Sequence, residues 1–359
     1  MHIYWYSYYY LKIIKYTKSM KVQKNTDQNS FLKKLKIKII RKLGFEAVDQ
    51  QNYVLIGDSK KLDSTHSIPG EKSLVLPFGI LKVKKKILDL KIIFRSCTAI
   101  NIMGQNKQRL FECQKNEYTF RSLNSILKSV KRAKKTFTNT KFSILITDGG
   151  SSKEDLLSIK KILNLYQDIN SEIIIVDNEK FKDKIIGQYS KEKFSNMANF
   201  FTSLDIAKNN CEDLIYFVED DYVHKEIAIQ EMLLSYEKFY TILEDDLFLL
   251  PADYPYLYTK KESTNILYGE NRHWRQVEES LVTFMTSKKI VLDHWDELVG
   301  MASEWSDPWE KPLHNIYKNK RCFSPIPSLS MHCANINSVF GIPPNYDWKK
   351  NWDENKVEV

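Results

Sequence analysis

Four short apolar runs, each closed by a charged residue, limit this chain's fold more than any other feature. They are residues 90–94 before Arg95, 142–147 before Asp148, 172–176 before Asp177, and 214–218 before Glu219-Asp220-Asp221. Each is too short for a buried helix and too continuously apolar for a one-sided strand, so each reads as a strand buried on both faces. Helical periods fill the gaps: 118–135, with Leu123, Ile126, Leu127 and Val130 at three- and four-residue spacing, then 153–166 and 195–208. Ser151 and Glu154 form a capping-box pattern at the start of the second of these. A repeating strand–helix order predicts an α/β fold with a mostly parallel sheet flanked by helices. Ligands of such sheets bind beyond the carboxyl ends of the strands. Arg95, Asp148, Asp177 and Asp221 therefore share one rim.

Composition agrees with a globular domain: 43% of residues are apolar and 28% charged, enough for a core without the charge excess of a disordered chain. Glycine is scarce, at 11 residues of 359, and neither a Gly-x-Gly-x-x-Gly nor a Gly-Lys-Ser/Thr pattern occurs. Dinucleotide folds and P-loops are thereby excluded. The five cysteines are odd in number, widely spaced and without a Cys-x-x-Cys pair. A reducing compartment is expected, and neither a disulfide framework nor a zinc site.

The net charge of +9 is concentrated upstream, in Lys33-Lys34, Arg41-Lys42 and Lys84-Lys85-Lys86. We divide the chain into a basic accessory segment 1–89, a catalytic domain 90–345 and a C-terminal tail 346–359. Residues 1–16 are aromatic but too short and polar to span a bilayer, and lack a small-residue cleavage site. Met20 is an alternative start. Residues 31–43 read as a basic amphipathic helix with Phe31, Leu32, Leu35, Ile39 and Leu43 near one face. Such a helix could lie on an anionic membrane. The expectation is instead that it packs its aliphatic face against the main domain while its lysines stay in water. The chain is expected to be cytoplasmic, a peripheral membrane contact through this segment being the alternative to packing on the domain.

The acidic triplet Glu219-Asp220-Asp221 follows its strand without a spacer, so its carboxylates repel. A divalent cation resolves the conflict, and residues i and i+2 of an extended segment project to one side. Glu219 and Asp221 are thus candidate ligands for Mn²⁺ or Mg²⁺, which complete their shells with phosphate oxygens. A second triplet, Glu244-Asp245-Asp246, follows a segment that reads as a helix end and is set aside. His224 and the cluster His273-Trp274-Arg275 have site-like composition, with structural alternatives for each: a helix's first turn for His224, an ion pair for Arg275.

Taken in order, Asp148-Gly149-Gly150-Ser151, then Ala198-Asn199, then Tyr216-Phe217-Val218-Glu219-Asp220-Asp221 resembles family-2-type glycosyltransferases of the GT-A fold, over roughly residues 90–345. The resemblance implies a metal-dependent, single-step inverting transfer of a sugar from a nucleotide-diphosphate donor to a hydroxyl acceptor on a glycan, lipid or protein. It implies that Asp148 or Asp177 contacts the nucleoside and that Asp220 and its neighbours hold metal and diphosphate. It further implies a catalytic base at Asp307 or Glu304 and a late metal ligand or diphosphate contact at His332. Beside the acids, Trp305 and Trp309 offer apolar planes on which sugar rings could stack. The pattern departs at the first strand, where Arg95-Ser96-Cys97 replaces an acid. An arginine there could reach a phosphate.

Three alternatives belong to other classes. A sugar nucleotidylyltransferase would carry a glycine-rich loop where residues 93–98 have none. A nucleic-acid-binding protein would interleave basic and aromatic residues on one surface. Here the lysines lie outside the domain and the expected cleft is acidic, so no nucleic acid is expected. A non-catalytic glycan-binding protein on the same scaffold is the third.

Overall fold

The computed structural model describes residues 31–43, 67–75, 79–99, 109–259, 264–334, 336 and 338–358. The chain divides into two units, Met1–Gly57 with Leu76–Ile80, and Asp58–Val75 with Leu81–Val359. The aromatic opening and Met20 lie outside the described residues. In the first unit, helix α1 spans Phe31–Lys42. Its Leu32, Leu35 and Ile39, with Leu43 just beyond, are exposed.

In the second unit, β1 (Asp89–Ser96), α2 (Lys115–Lys134), β2 (Lys141–Asp148), α3 (Lys153–Asn164), β3 (Asn170–Ile175), α4 (Lys191–Asn210) and β4 (Leu214–Glu219) follow the predicted alternation. Next come β5 (Tyr222–His224), α5 (Ala228–Leu243), β6 (Phe248–Leu249), β7 (Ile266–Tyr268), β8 (His273–Val277) and β9 (Phe284–Ser287). The chain continues through α6 (Lys288–Asp293), α7 (Trp295–Ser303), α8 (Lys311–Tyr317), β10 (Cys322–Ile326), β11 (Ser330–His332) and α9 (Trp348–Glu354). The main sheet has the order β3-β2-β1-β4-β9-β6-β10-β8-β7. Only β9 and β8 run against the other seven, so the α/β architecture with a mostly parallel sheet is as expected. The chain starts at β1, lays β2 and β3 on one side, then returns to place β4 on the other. The switch point, where such sheets form a ligand crevice, falls between β1 and β4.

Strand alternation sorts side chains into two cores. Leu90, Ile92, Phe94, Ile144, Ile146, Leu214, Tyr216 and Val218 pack with α2, α3 and α5, through Leu123, Ile162 and Met232 among others. Ile93, Leu145, Ile215 and Phe217 pack on the opposite face with α4, α6, α7 and α8, through Met197, Phe200, Ile290, Met301 and Leu313. A slip of one residue in β1 would exchange the two sets, so both cores fix the register. Each of these fully buried side chains contributes about 1.5–3 kcal/mol.

Helix boundaries differ from expectation where caps decide them. Ser152, not Ser151, caps α3, its Oγ accepting from Asp155 N at 3.0 Å. Ser190 caps α4 by accepting from Lys193 N at 3.3 Å, starting that helix ahead of residue 195. Helix α2 begins at Lys115, three residues earlier than the apolar period indicates. Residues 346–359, taken from sequence as a tail, contain α9, which is anchored to the domain. Arg121 donates to Trp352 O at 2.5 Å, and Asn351 Nδ2 to Val223 O at 3.1 Å. The second acidic triplet does end a helix: Glu244 sits at φ 55° as the cap of α5, Asp245 pairs with Lys320 and Asp246 with Lys85.

Candidate active site

A cleft of about 370 Å³ opens at the carboxyl ends of β1 and β4, lined by Arg95, Cys97, Arg109, Lys115, Asn196, Glu219, Asp220, Asp221, Trp305, Asp307, Trp309, Glu310 and His332, with a few smaller contributors. Side-chain parity explains its walls. Residues 93 and 95 of β1, like 217 and 219 of β4, face α4. Arg95 accordingly lies 5.3 Å from the Phe200 ring centroid and 5.6 Å from that of Trp309. Its Nη2 donates to Asn196 Oδ1 at 2.5 Å, and Nη1 stands 3.7 Å from Glu219 Oε1. Nε and Nη1 are buried without a hydrogen-bond acceptor. Burial pulls the Arg95 guanidinium below its usual range, with Glu219, Asp220 and Asp221 opposing. Burial at the cleft pushes the Glu219 carboxyl up, with Arg95 opposing.

Asp220 has the other parity and turns toward α2. Lys115 pairs with Oδ1, while Cys97 N and Thr119 Oγ1 donate to Oδ2 at 3.1 and 2.8 Å. The chain then turns at Asp220-Asp221, so Glu219 and Asp221 are not successive residues on one strand face as the extended reading assumed. Beyond the turn, β5 pairs antiparallel with β11 in a two-stranded ribbon, His332 opposite Tyr222, and Cys333 N donates to Asp221 O at 2.9 Å.

That ribbon joins Asp221 to His332. His332 Nδ1–H donates to Phe340 O at 2.9 Å, its ring stacks on Tyr222 at 4.8 Å, and Nε2 lies 3.4 Å from Asp221 Oδ2. Asp221 Oδ1 is buried with no partner. Burial pushes the Asp221 carboxyl up, but the His332 charge and hydrogen bond, with Lys115 and Arg109 beyond, hold it well below the usual carboxylate range. Burial likewise disfavours the His332 imidazolium, yet Asp221 raises it above its ordinary value. With the Nε2 proton displaced, Asp221 and His332 would offer an oxygen and a nitrogen donor to a shared cation. Glu219, engaged with Arg95, is not drawn in with them, and no group of three His, Cys, Asp or Glu among the described residues forms a complete cage. A metal here would need oxygen ligands from its substrate, as Mg²⁺ and Mn²⁺ sites commonly do.

Other candidates fall outside the cleft. Asp148 is buried and saturated: Oδ1 accepts from Ser96 and Ser151 Oγ at 2.8 and 2.5 Å, Oδ2 from Gly150 and Ser151 N at 3.0 and 2.8 Å. It builds the turn after β2, and its oxygens are not presented to a ligand. Asp177 is exposed and caps a short 3-10 turn, accepting from Glu179 N at 3.1 Å. Glu304 ends α7 and is exposed. Asp307 does line the cleft.

Trp305 and Trp309 stack on each other at 5.4 Å and 6°. Trp309 is further held by Phe200 and by its Nε1 donating to Met301 O at 2.8 Å, which leaves it a wall rather than a free sugar platform. His224 is buried, bonded to Tyr216 Oη at 2.6 Å and pushed down to about 3 by burial. Arg275 forms a buried ion pair with Asp253, the structural alternative for that cluster. Asn199 ties α4 to β2, donating to Thr147 O at 2.8 Å.

The cleft is also less uniformly acidic than expected. Arg109, Lys115 and Glu310 join it without having been singled out from sequence. Lys115 had one signal, its place just ahead of a helical period that begins at residue 118. Arg109 and Glu310 had none.

No protein-family model matches this sequence, and no curated protein sequence does. Several solved structures align with it distantly. A galactosyltransferase LgtC in complex with donor and acceptor sugar analogues is 12% identical, the alignment covering 65% of this chain and 72% of that one, with a TM-score of 0.32. TarS of S. aureus is 12% identical over 61% of this chain and 35% of its own, with a TM-score of 0.33. A UDP-glucose pyrophosphorylase complexed with UDP-glucose is 9% identical over 75% and 97%, with a TM-score of 0.36. These values are too low to transfer a reaction or a residue role.

Proposed function

We propose that this chain transfers a sugar from a nucleoside-diphosphate donor to a hydroxyl acceptor, aided by a divalent cation. One observation carries the reading. At the switch point of the sheet, the unpartnered Oδ1 of Asp221 and the Nε2 face of His332 share a cleft with an Arg95 guanidinium that has two buried nitrogens without acceptors. A buried cation and a cation-seeking carboxylate in one crevice suit a ligand that brings both anionic oxygens and a metal.

In this reading, Arg95 and Lys115 bind the diphosphate, the first through its open fork and the second from the α2 side. Asp221 and His332 hold Mn²⁺ or Mg²⁺. When bound, the ion would offset the negative charge that develops on the departing diphosphate. Asp307 takes the acceptor hydroxyl proton, with Glu310 as a second carboxylate on the same wall. The tryptophan pair and Phe200 exclude water around Arg95, which strengthens its attraction to phosphate. Asp148 supports the site through the turn it holds together, rather than by touching the nucleoside.

The test is calorimetry of nucleoside diphosphates with and without Mn²⁺ on wild type, Asp221→Ala and His332→Ala. Metal-dependent binding of one nucleotide, lost in both variants, is expected. Turnover should release nucleoside diphosphate from a sugar donor. Release of pyrophosphate from a nucleoside triphosphate would transfer the assignment to nucleotidyl transfer. Absence of nucleotide binding in every metal condition would remove the transferase reading.

A further inference from the structure

The β5–β11 ribbon has two faces. On one, the His332 ring stacks on Tyr222. On the other, the cross-strand partners Val223 and Met331 pack with Tyr118, Tyr346 and Trp352. Lys225 follows β5 with the parity of Val223, and its N–H donates to Leu329 O at 2.8 Å. Its ammonium accordingly comes over the Tyr346 ring, 4.3 Å from the centroid. Arg272, in the turn between β7 and β8, approaches the same corner, its Nη1 donating to Pro327 O at 2.5 Å and to Ser328 O at 3.3 Å. Its charge acts on both Lys225 and Tyr346.

Three donors in this corner are left over. Arg272 Nε and Tyr346 Oη are buried without a hydrogen-bond partner. The Lys225 ammonium has the ring beneath it and, among the described residues, no carboxylate at ion-pair distance. The acids that act on the two cations from further off, Asp347 on Lys225 and Glu231 on Arg272, are committed elsewhere. Asp347 accepts from Lys350 N at 3.1 Å, and Glu231 from Glu270 N and Asn271 N at 3.1 Å each. Burial pulls both cations below their usual range, and at Lys225 the like charge of Arg272 adds to the effect. Two half-buried cations that repel each other, beside an unpaired phenol, are costly until an anion joins them.

The donor set selects the anion. Two positive charges exceed what one carboxylate neutralises. A phosphate dianion meets both, with oxygens enough for the guanidinium, the ammonium and the phenol. A nucleic-acid backbone would need a row of exposed cations, whereas two of these three donors are buried and admit a single group.

We propose that Lys225, Arg272 and Tyr346 bind a phosphate group on the ribbon face opposite His332. The site uses none of the side chains that line the cleft and does not depend on the transferase reading. When filled, it ties the β7–β8 turn and Tyr346 to the ribbon that carries His332.

The experiment is calorimetry of the full-length chain with inorganic phosphate, in metal-free buffer with chloride at matched ionic strength, and then with glucose 1-phosphate. Wild type should bind, and Arg95→Met, which removes a phosphate-seeking cation from the cleft, should retain that binding. Tyr346→Phe keeps the ring under Lys225 and removes only the hydroxyl, and should weaken binding about three- to ten-fold. Lys225→Met should weaken it about ten-fold or more. The unfolding midpoint of Tyr346→Phe without phosphate should not fall, since its hydroxyl has no partner to lose, so loss of binding is separable from loss of folding. Tighter binding of the ester than of inorganic phosphate would make the occupant a phosphorylated ligand, and the reverse order the free ion. Binding that Arg95→Met abolishes and Tyr346→Phe leaves intact would place the phosphate in the cleft and overturn the proposal. Absence of phosphate binding to wild type overturns it as well.

Discussion

Arg95 and Glu219 stand opposite one another in register at the ends of the two central strands, with Nη1 3.7 Å from Oε1. The pair is incomplete as a salt bridge: Arg95 keeps two buried nitrogens without acceptors, and Glu219 remains pushed up by burial. An anion entering the cleft would satisfy the fork. Arg95→Met keeps the bulk between Phe200 and Trp309 and removes the charge. It should raise the donor KM about ten- to hundred-fold, the worth of one or two charge-assisted hydrogen bonds. An unchanged KM in steady-state kinetics would show that Arg95 only braces the strand ends.

Asp307 and Glu304 lie three residues apart, but only Asp307 lines the cleft, while Glu304 ends α7 in solvent. Asp307→Asn should cut kcat by about 10²–10⁴, the usual contribution of general-base catalysis. Glu304→Gln should stay within about two-fold of wild type. If Glu310→Gln were the inactive variant and Asp307→Asn active, the proton acceptor would be the other carboxylate on that wall.

Asp148 accepts four hydrogen bonds inside the turn after β2. Removing it leaves the Gly150 and Ser151 N–H groups and two hydroxyls without their acceptor. Asp148→Ala should cost about 3 kcal/mol or more in denaturant unfolding, since stranded donors lose their full desolvation penalty. Nucleotide affinity of the folded fraction should fall far less than in Arg95→Met. The reverse pattern would return Asp148 to the nucleoside.

Glu237, on α5, is buried and accepts from Gly70 N at 3.0 and 2.9 Å and from Ile87 N at 3.2 Å. Burial pushes its carboxyl up to about 7 from the ordinary 4.5, those N–H donors opposing. Between these values the folded chain holds a proton that the unfolded chain has released. Stability therefore falls as pH rises across that window, by at most about 3 kcal/mol from this group. Unfolding midpoints from pH 4.5 to 7 should slope downward for wild type and flatten in Glu237→Gln. A parallel slope in the variant would assign it elsewhere.

What could be read from sequence was what depends on local period. Three of the four strands needed only their continuous apolar runs, and Phe94-Arg95 or Val218-Glu219 marked the rim because charge cannot continue into a core. The third run forms β3, an edge strand with Ile175 exposed rather than a strand buried on both faces. What escaped depends on where distant segments meet. Lys115 reaches Asp220 across 105 residues only because α2 packs over β4. The turn at Asp220-Asp221 broke the same-side assumption for Glu219 and Asp221, since β5 leaves the main sheet to pair with β11. His332 was visible as a residue type, but its partner was not. Asp148 and Glu304 were drawn to the site by resemblance, whereas turn chemistry and a helix end fixed their positions.

The β5–β11 ribbon also has a consequence for biosynthesis. Strands β1 to β4 emerge from the ribosome first and can pair among themselves, whereas His332 is the last of the cleft's named side chains to be made. The ribbon is then latched from behind by Asn351 of α9 on Val223. A nascent chain stopped before α9 would hold each of those side chains yet lack the latch for its imidazole. The cleft is therefore completed late, and an interrupted copy would carry its side chains without that brace.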